Sequence, residues 1–300
     1  MIKNSYKIAG ITLLLLLVSC IKSDYDTENC PGLYTITPLV PVELQQSTNE
    51  FLSEAATSVK YPTDAQWRIT EVGPDNTLEL LKGQYRAYSV KGATDQVTIH
   101  SGSTVSVSSE NGAAGEPGNF VAGAIDFNVE GGLVDWGIIN YDLPTYIQTR
   151  LLTLKVKIEG DNSSLVESVS ATVDGIALSR ELRDAFIEDG ERNRYPSLST
   201  GYAAYAMDVK ENDGFYTDSR RLLGLDGNAK QNLALTIHYE GGFKKSFLYD
   251  ITGDLDGFHT RKVIEPWFIH IVLRAGADFT ATIEDWQSGP EKWMDATPNN

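Results

Sequence analysis

The strongest constraint on this chain is a two-residue hydrophobic period punctuated by tight-turn residues. Leu233, Leu235, Ile237 and Tyr239 alternate with smaller or polar residues. The alternation then resumes over 244–250, after Glu240-Gly241-Gly242-Phe243. Successive side chains of a strand point to opposite faces, so a period of two marks a strand with one buried face. Glycines between two such runs mark a hairpin, because they reach the positive φ angles that the turn needs. A second hairpin reads as residues 267–273, the turn Arg274-Ala275-Gly276-Ala277-Asp278, and residues 279–286. The same pattern, rich in β-branched and aromatic residues, recurs at 34–42, 67–72, 85–90, 97–100, 104–107, 125–129 and 166–173. At 151–158, Leu154, Val156 and Ile158 alternate with Lys155 and Lys157, giving one dry and one wet face. The expected class is all-β, with antiparallel strands packed as sandwiches.

Helical signals are few. Leu178, Leu182 and Phe186 fall at i, i+4 and i+8 with Ser179 as an N-cap, and Phe51, Leu52, Ala55 and Val59 suggest a second short helix. Both are expected to be connectors. At 300 residues the chain has length for two cores. The expected break lies in 141–149, where Pro144 stops any preceding element. It divides an N-terminal sandwich at 33–147 from a C-terminal one at 148–300. No repeat of 20–50 residues suggests a solenoid or propeller.

The first 19 residues read as an export signal. Lys3 and Lys7 precede an apolar run at 8–18, too short to span a bilayer as a helix. The run ends in Leu17-Val18-Ser19-Cys20, which resembles a lipobox, so Cys20 is expected to carry diacylglycerol and become the mature N-terminus. Residues 20–32 are polar and acidic and read as a lipidated tether. Losing Lys3 and Lys7 with the signal takes the formal net charge from -16 to -18. A chain this acidic is not drawn to nucleic acid or an anionic membrane by charge, so membrane attachment rests on the acyl chains. With Cys20 acylated, Cys30 is left alone and no intrachain disulfide forms.

Catalytic signatures are missing. His100, His238, His259 and His270 show neither His-x-His nor His-x-x-x-His spacing, and no cysteine lies near them. A Gly-x-Ser-x-Gly elbow and a phosphate-binding Gly-x-x-x-x-Gly-Lys-Ser/Thr loop are both absent. Asp250-Ile251-Thr252-Gly253-Asp254-Leu255-Asp256-Gly257 has the look of a calcium loop. Aligned on Gly257, however, it puts Val263 where a bidentate Glu is required, so Asp254 and Asp256 read as turn formers. Of the five tryptophans, Trp67, Trp267 and Trp286 lie in strand patterns, while Trp136 and Trp293 are the surface candidates for a sugar platform. The expectation is a non-enzyme with no metal and no cofactor.

Several stretches resemble the fimbrillin superfamily and, within it, FimB-type fimbrial anchor lipoproteins. They are the lipobox with Asn29-Cys30-Pro31, Gly83-Gln84-Tyr85-Arg86-Ala87-Tyr88, the Arg-led strand from Thr149-Arg150-Leu151 to Gly160, residues 169–175, and 279–286 ending in Trp286. The resemblance implies two transthyretin-like antiparallel β-sandwiches in tandem. It also implies a surface-exposed protein of the outer membrane that joins other fimbrial subunits by strand exchange. In polymerising relatives a cleavage after an N-terminal Arg opens the groove, and a C-terminal strand is donated. Here no Arg precedes Arg68, and 287–300 carry Pro290 and Pro298 with little alternation. Both departures favour an anchor or accessory subunit in cell adhesion. The alternative is a surface lipoprotein of a polysaccharide-uptake system whose partner is a glycan; a host ligand is also open.

Overall fold

The structure is a computed structural model that describes residues 32–39, 56–63, 66–71, 77–80, 82–100, 104–129, 138–182, 197–209, 214–259, 265–275 and 281–290. Among them the elements are strands and two single 3-10 turns. In chain order the strands begin with β1 (Gly32–Leu39), β2 (Ala56–Thr63), β3 (Gln66–Glu71), β4 (Thr77–Leu80) and β5 (Gly83–Lys91). There follow β6 (Val97–Ile99), β7 (Thr104–Val107), β8 (Ser109–Glu110), β9 (Ala113–Ala114), β10 (Val121–Val129), β11 (Ile138–Pro144) and β12 (Tyr146–Ile147). The remainder are β13 (Arg150–Gly160), β14 (Val166–Glu181), β15 (Ser197–Val209), β16 (Phe215–Leu222), β17 (Asn232–Tyr239), β18 (Lys244–Asp250), β19 (Trp267–Ala275) and β20 (Ala281–Pro290). The all-β sandwich class expected from the alternation is the class adopted.

The backbone forms two compact units. The first draws its described residues from 32–39, 56–89 and 124–143, and the second from 90–123 and 144–290.

In the second unit the strand path runs β18-β17-β14-β15, turns a corner, and continues β16-β13-β19-β20. The corner is short: β15 meets β16 only at Asp208↔Thr217 and Val209↔Tyr216. Eight strands thus fold into two layers of four. The first of them, β13, lies between the fourth, β16, and the seventh, β19. It runs antiparallel to β16 and parallel to β19, from Leu152↔Trp267 to Gly160↔Ala275. That order is the transthyretin-like arrangement. Alternation explains why the layers stick. Leu152, Leu154, Val156, Ile269, Ile271 and Leu273 from one layer pack on Val169, Val173, Leu233, Leu235 and Ile237 from the other, all buried. Each such side chain contributes roughly 1.5–3 kcal/mol by leaving water.

Residues 90–123 extend this unit. β7 pairs with the end of β14 through Ser179↔Ser106 and Arg180↔Val105, and β9 lies parallel to β15 at Tyr202↔Ala113.

The expected helix at 178–186 is not formed where it is described: Leu178 belongs to β14. Bulges between Asp174 and Ile176 and between Ala177 and Ser179 shift the pleat, so Ile176, Ala177 and Leu178 are buried in succession. A bulged strand can therefore imitate a helical spacing. Phe186 lies outside the described residues. Of the other helical candidate, Phe51, Leu52 and Ala55 also lie outside them, and Val59 sits in β2. Likewise β20 does not stop at Trp286. It continues to Pro290, opposite Trp267, because a terminal Pro need not donate to the ladder.

Among the described residues the first unit repeats the connectivity with one strand fewer. Its sheets run β11-β1-β4 and β10-β5-β2-β3. Counted within the unit, the first strand again lies between the fourth and the seventh. Tyr34, Ile36, Leu80, Tyr85, Ala87, Phe127, Val129 and Leu143 form its core. Phe127 contacts Tyr85 and Tyr141, with ring centroids 5.7 and 4.6 Å away.

Candidate functional site

Cys20, Cys30, Trp136 and Trp293 lie outside the described residues. The four histidines do not converge. The Nε2 atom of His100 is 2.7 Å from Ser106 Oγ, and that of His238 is 3.2 Å from Ser170 Oγ. The buried His259 accepts the Leu225 N–H at 3.1 Å through Nε2, and His270 packs edge-on against Phe215. No group of three or more His, Cys, Asp or Glu that could hold a metal ion occurs among the described residues.

The Asp250–Gly257 stretch is a turn whose carboxylates serve the fold. Asp250 accepts the Thr252 N–H and the Lys230 ammonium, and that ammonium holds its carboxyl far below the usual range. Asp254 accepts the Ser288 hydroxyl at 3.0 Å, and its carbonyl accepts the indole N–H of the buried Trp267.

Two arginines are buried: Arg150, expected on a strand, and Arg180, which falls within the helix expected at 178–186. Arg150 donates to the carbonyls of Glu265, Gly257 and Phe258 at 2.9, 3.1 and 2.8 Å and lies 4.8 Å from the Trp267 ring centroid. Arg180 donates to the carbonyls of Leu223, Glu181 and Gln148. Carbonyls at chain turns need donors when buried, and a guanidinium supplies several in a fixed fork. These residues hold the second unit together.

What this architecture offers functionally is its sheet edges, and they are treated unequally. Where β15 and β16 diverge, side chains cover the main chain. Glu116 accepts the Arg221 N–H at 3.2 Å, Asp218 accepts the Ala206 N–H at 2.9 Å, and Arg220 donates to the Ala204 carbonyl at 3.0 Å. A small cavity of about 130 Å³ remains there, lined by Glu116, Ala203, Arg220 and Leu222 among others. Burial pushes the Glu116 carboxyl up, against the pull of the Arg221 N–H and the Arg220 charge.

The edge at β11 is different. Among the described residues β11 pairs with β1 and has no strand on its other side. Leu143, Tyr141 and Ile139 share one face by alternation. Leu143 is fully buried, Tyr141 packs on the core, and Ile139 is 50% exposed. The apolar face is therefore covered at one end and open at the other. The opposite face is polar: Asn140 hydrogen-bonds Thr35 of β1. In the second unit the equivalent place beside β19 is filled by β20. No sequence signal marked Ile139, since Ile138-Ile139-Asn140-Tyr141-Asp142 lacks a clean alternation.

Taken together, the strand order defines a two-layer β protein of transthyretin-like connectivity. Its fold is fimbrillin-like. The fimbrial anchor protein Mfa2 from Porphyromonas gingivalis superposes with a TM-score of 0.58 at 13% identity, covering 87% of this chain and 98% of that one. Two structures of proposed adhesins from Bacteroides ovatus superpose with TM-scores of 0.55 and 0.54. Their identities are 11% and 14%, covering 87% and 86% of this chain and 96% and 92% of theirs. No protein-family model and no curated protein matches the sequence.

Proposed function

We propose that this chain is a lipid-anchored structural subunit of a fimbrium. Cys20 would hold it to the outer membrane, and a neighbouring subunit's strand would join it at β11. The observation that carries this reading is that, among the described residues, the first unit has no eighth strand beside β11. Main-chain N–H and C=O groups on the free side of β11 offer a ladder. A strand laid there also buries alternate side chains against Ile139 and Tyr141. Among the described residues the chain supplies no strand at this point: β12, which lies between β11 and β13 in sequence, pairs with β10 instead.

The other half of a strand exchange would be donation, and here the second unit argues against it. Its last described strand, β20, is paired with β19 from Trp267↔Pro290 to Ala275↔Ala281. Freeing it would strip one layer of its edge. With no Arg ahead of Arg68 to be cleaved, the chain reads as an acceptor at a fibre's end rather than a repeating unit. The neighbours' fimbrial and adhesin descriptions agree with such a surface role.

The test is electron microscopy of cells lacking the gene and of cells carrying Ile139→Lys. Fibres shed from the cell or altered in length in both strains are expected. Firmly attached, unchanged fibres together with lost binding to one polysaccharide would replace this reading with the glycan-binding alternative.

A further inference from the structure

The second unit ends at β18, whose ladder partner among the described residues is β17 alone. Which of its groups face outward follows from the hairpin. The rungs at its two ends are hydrogen-bonded: Tyr239 N–H to the Phe243 carbonyl and Ile251 N–H to the Gln231 carbonyl, both 2.9 Å. Bonded and non-bonded pairs alternate in an antiparallel ladder. Lys245, Phe247 and Tyr249 therefore turn their main chain toward β17. Lys244, Ser246, Leu248 and Asp250 turn theirs to the open side, and their side chains are the exposed ones of the strand. Leu248 is 70% exposed and the adjoining Phe243 60%.

The sequence of this edge is self-complementary. Laid antiparallel on itself about Phe247, Lys244 falls opposite Asp250, Lys245 opposite Tyr249, Ser246 opposite Leu248, and Phe247 opposite itself. Every charge meets an opposite charge or an aromatic ring, and the exposed Leu248 is flanked by a neighbour rather than water. Shifting the register by two residues puts Lys244 against Leu248 and leaves Asp250 without a cation.

We propose that β18 is the interface of a symmetric dimer of this chain, in which β18 pairs antiparallel with β18 of a second copy about a two-fold axis at Phe247. Such an interface is isologous and closes on itself, so it produces a pair and not a filament. The lysines matter because the chain as a whole carries a formal charge of -16. Two acidic molecules repel, and Lys244 with Lys245 makes this edge a place where they need not. At the dyad the Phe247 pair is a non-hydrogen-bonded one, in which the Cα atoms come to about 4.5 Å. That spacing is within disulfide reach.

The experiment is sedimentation equilibrium of the full-length protein in detergent, with three variants. The wild type is expected to show a reversible monomer–dimer equilibrium. Lys244→Glu should weaken it at least about tenfold by facing Asp250 with a like charge. The double variant Lys244→Asp with Asp250→Lys should restore it. Because Asp250 also binds Lys230 and the Thr252 N–H, a second measurement stands beside the swap. Phe247→Cys in a Cys30→Ser background should form an intermolecular disulfide between the introduced thiols on mild oxidation, identified by mass spectrometry. A wild type that stays monomeric when concentrated overturns the proposal. So does a dimer indifferent to Lys244→Glu, or a complex at β18 that forms only with another protein's strand.

Discussion

The two units handle the end of the same fold in opposite ways. In the second, the seventh strand, β19, runs into a hairpin and β20 returns beside it for its whole length. In the first, the seventh strand, β11, ends at Pro144, and β13 of the second unit begins six residues later. Pro144 has no N–H to donate to a ladder, and between it and Thr149 lies only the two-residue β12, which pairs with β10 and not with β11. One unit is closed by its own chain while the other is left with Ile139 half covered. The difference lies in where the chain was spent rather than in the fold, and among the described residues it leaves the β11 edge without a second strand.

The largest expected effect is on the closed unit. Arg150→Ala removes the donor for the buried Phe258 carbonyl and the partly buried carbonyls of Gly257 and Glu265, and its stacking on Trp267. A loss of about 3–5 kcal/mol is expected, since each orphaned buried group costs about 1–3 kcal/mol. Denaturant unfolding should show the second unit melting early while the first keeps its midpoint. A common shift of both would erase the distinction drawn between them.

Next is a gain in the open unit. A synthetic strand of alternating aliphatic residues, supplied in trans, should stabilise the first unit and leave the second unmoved. At a hundredfold excess over its Kd the gain is about 2.7 kcal/mol. Hydrogen exchange at the β11 amides would report it, and protection appearing at β20 instead would contradict the comparison.

Smaller still is Ile139→Ser in the isolated protein. A half-exposed side chain contributes little, so the midpoint should fall by less than about 1 kcal/mol. Binding of the strand peptide should weaken far more than stability does. Equal losses would mean that Ile139 belongs to a closed core.

The smallest effect concerns Glu116, which covers the β15–β16 edge. Its folded carboxyl titrates above its unfolded value because of burial. A raised acid pKa means that the folded state holds its proton longer. The associated stability is present below the ordinary Glu range, near 4.3, and is lost as pH rises through the raised value. Glu116→Gln should flatten that slope in the second unit alone, read as the unfolding midpoint against pH.

How much of this was legible in the sequence varies by strand. The 233–250 hairpin was readable almost residue for residue, because four large apolar side chains alternate cleanly and two glycines mark the turn. β15 was not. Ala203, Ala204 and Ala206 put small residues on both of its faces, so no period stands out. β14 was legible only to Val173, where its bulges begin. The buried roles of Arg150 and Arg180 could not be read, since a lone Arg in a strand, or in the short helix expected around Arg180, is ordinarily a surface residue. What decides them is the turn carbonyls brought beside them from more than a hundred residues away, in Arg150's case, and from Gln148 and Leu223 in Arg180's. The open edge at β11 was invisible for another reason: it is defined by the absence of a second neighbour among the described residues, and no residue pattern encodes that.

The parallel pairing of β13 with β19 also sets a timetable. Leu152 waits for Trp267, its ladder neighbour 115 positions later. During synthesis β14, β15, β17 and β18 can find one another as they emerge, for each is antiparallel to a near neighbour in sequence. The layer built on β13 cannot close until almost the last strand has left the ribosome. Contacts of such long separation slow folding. A chain shortened before β19 would thus hold one layer of its second unit with the apolar face of that layer uncovered. For most of its time in the making this protein is an incomplete sandwich, open to chaperones and proteases alike.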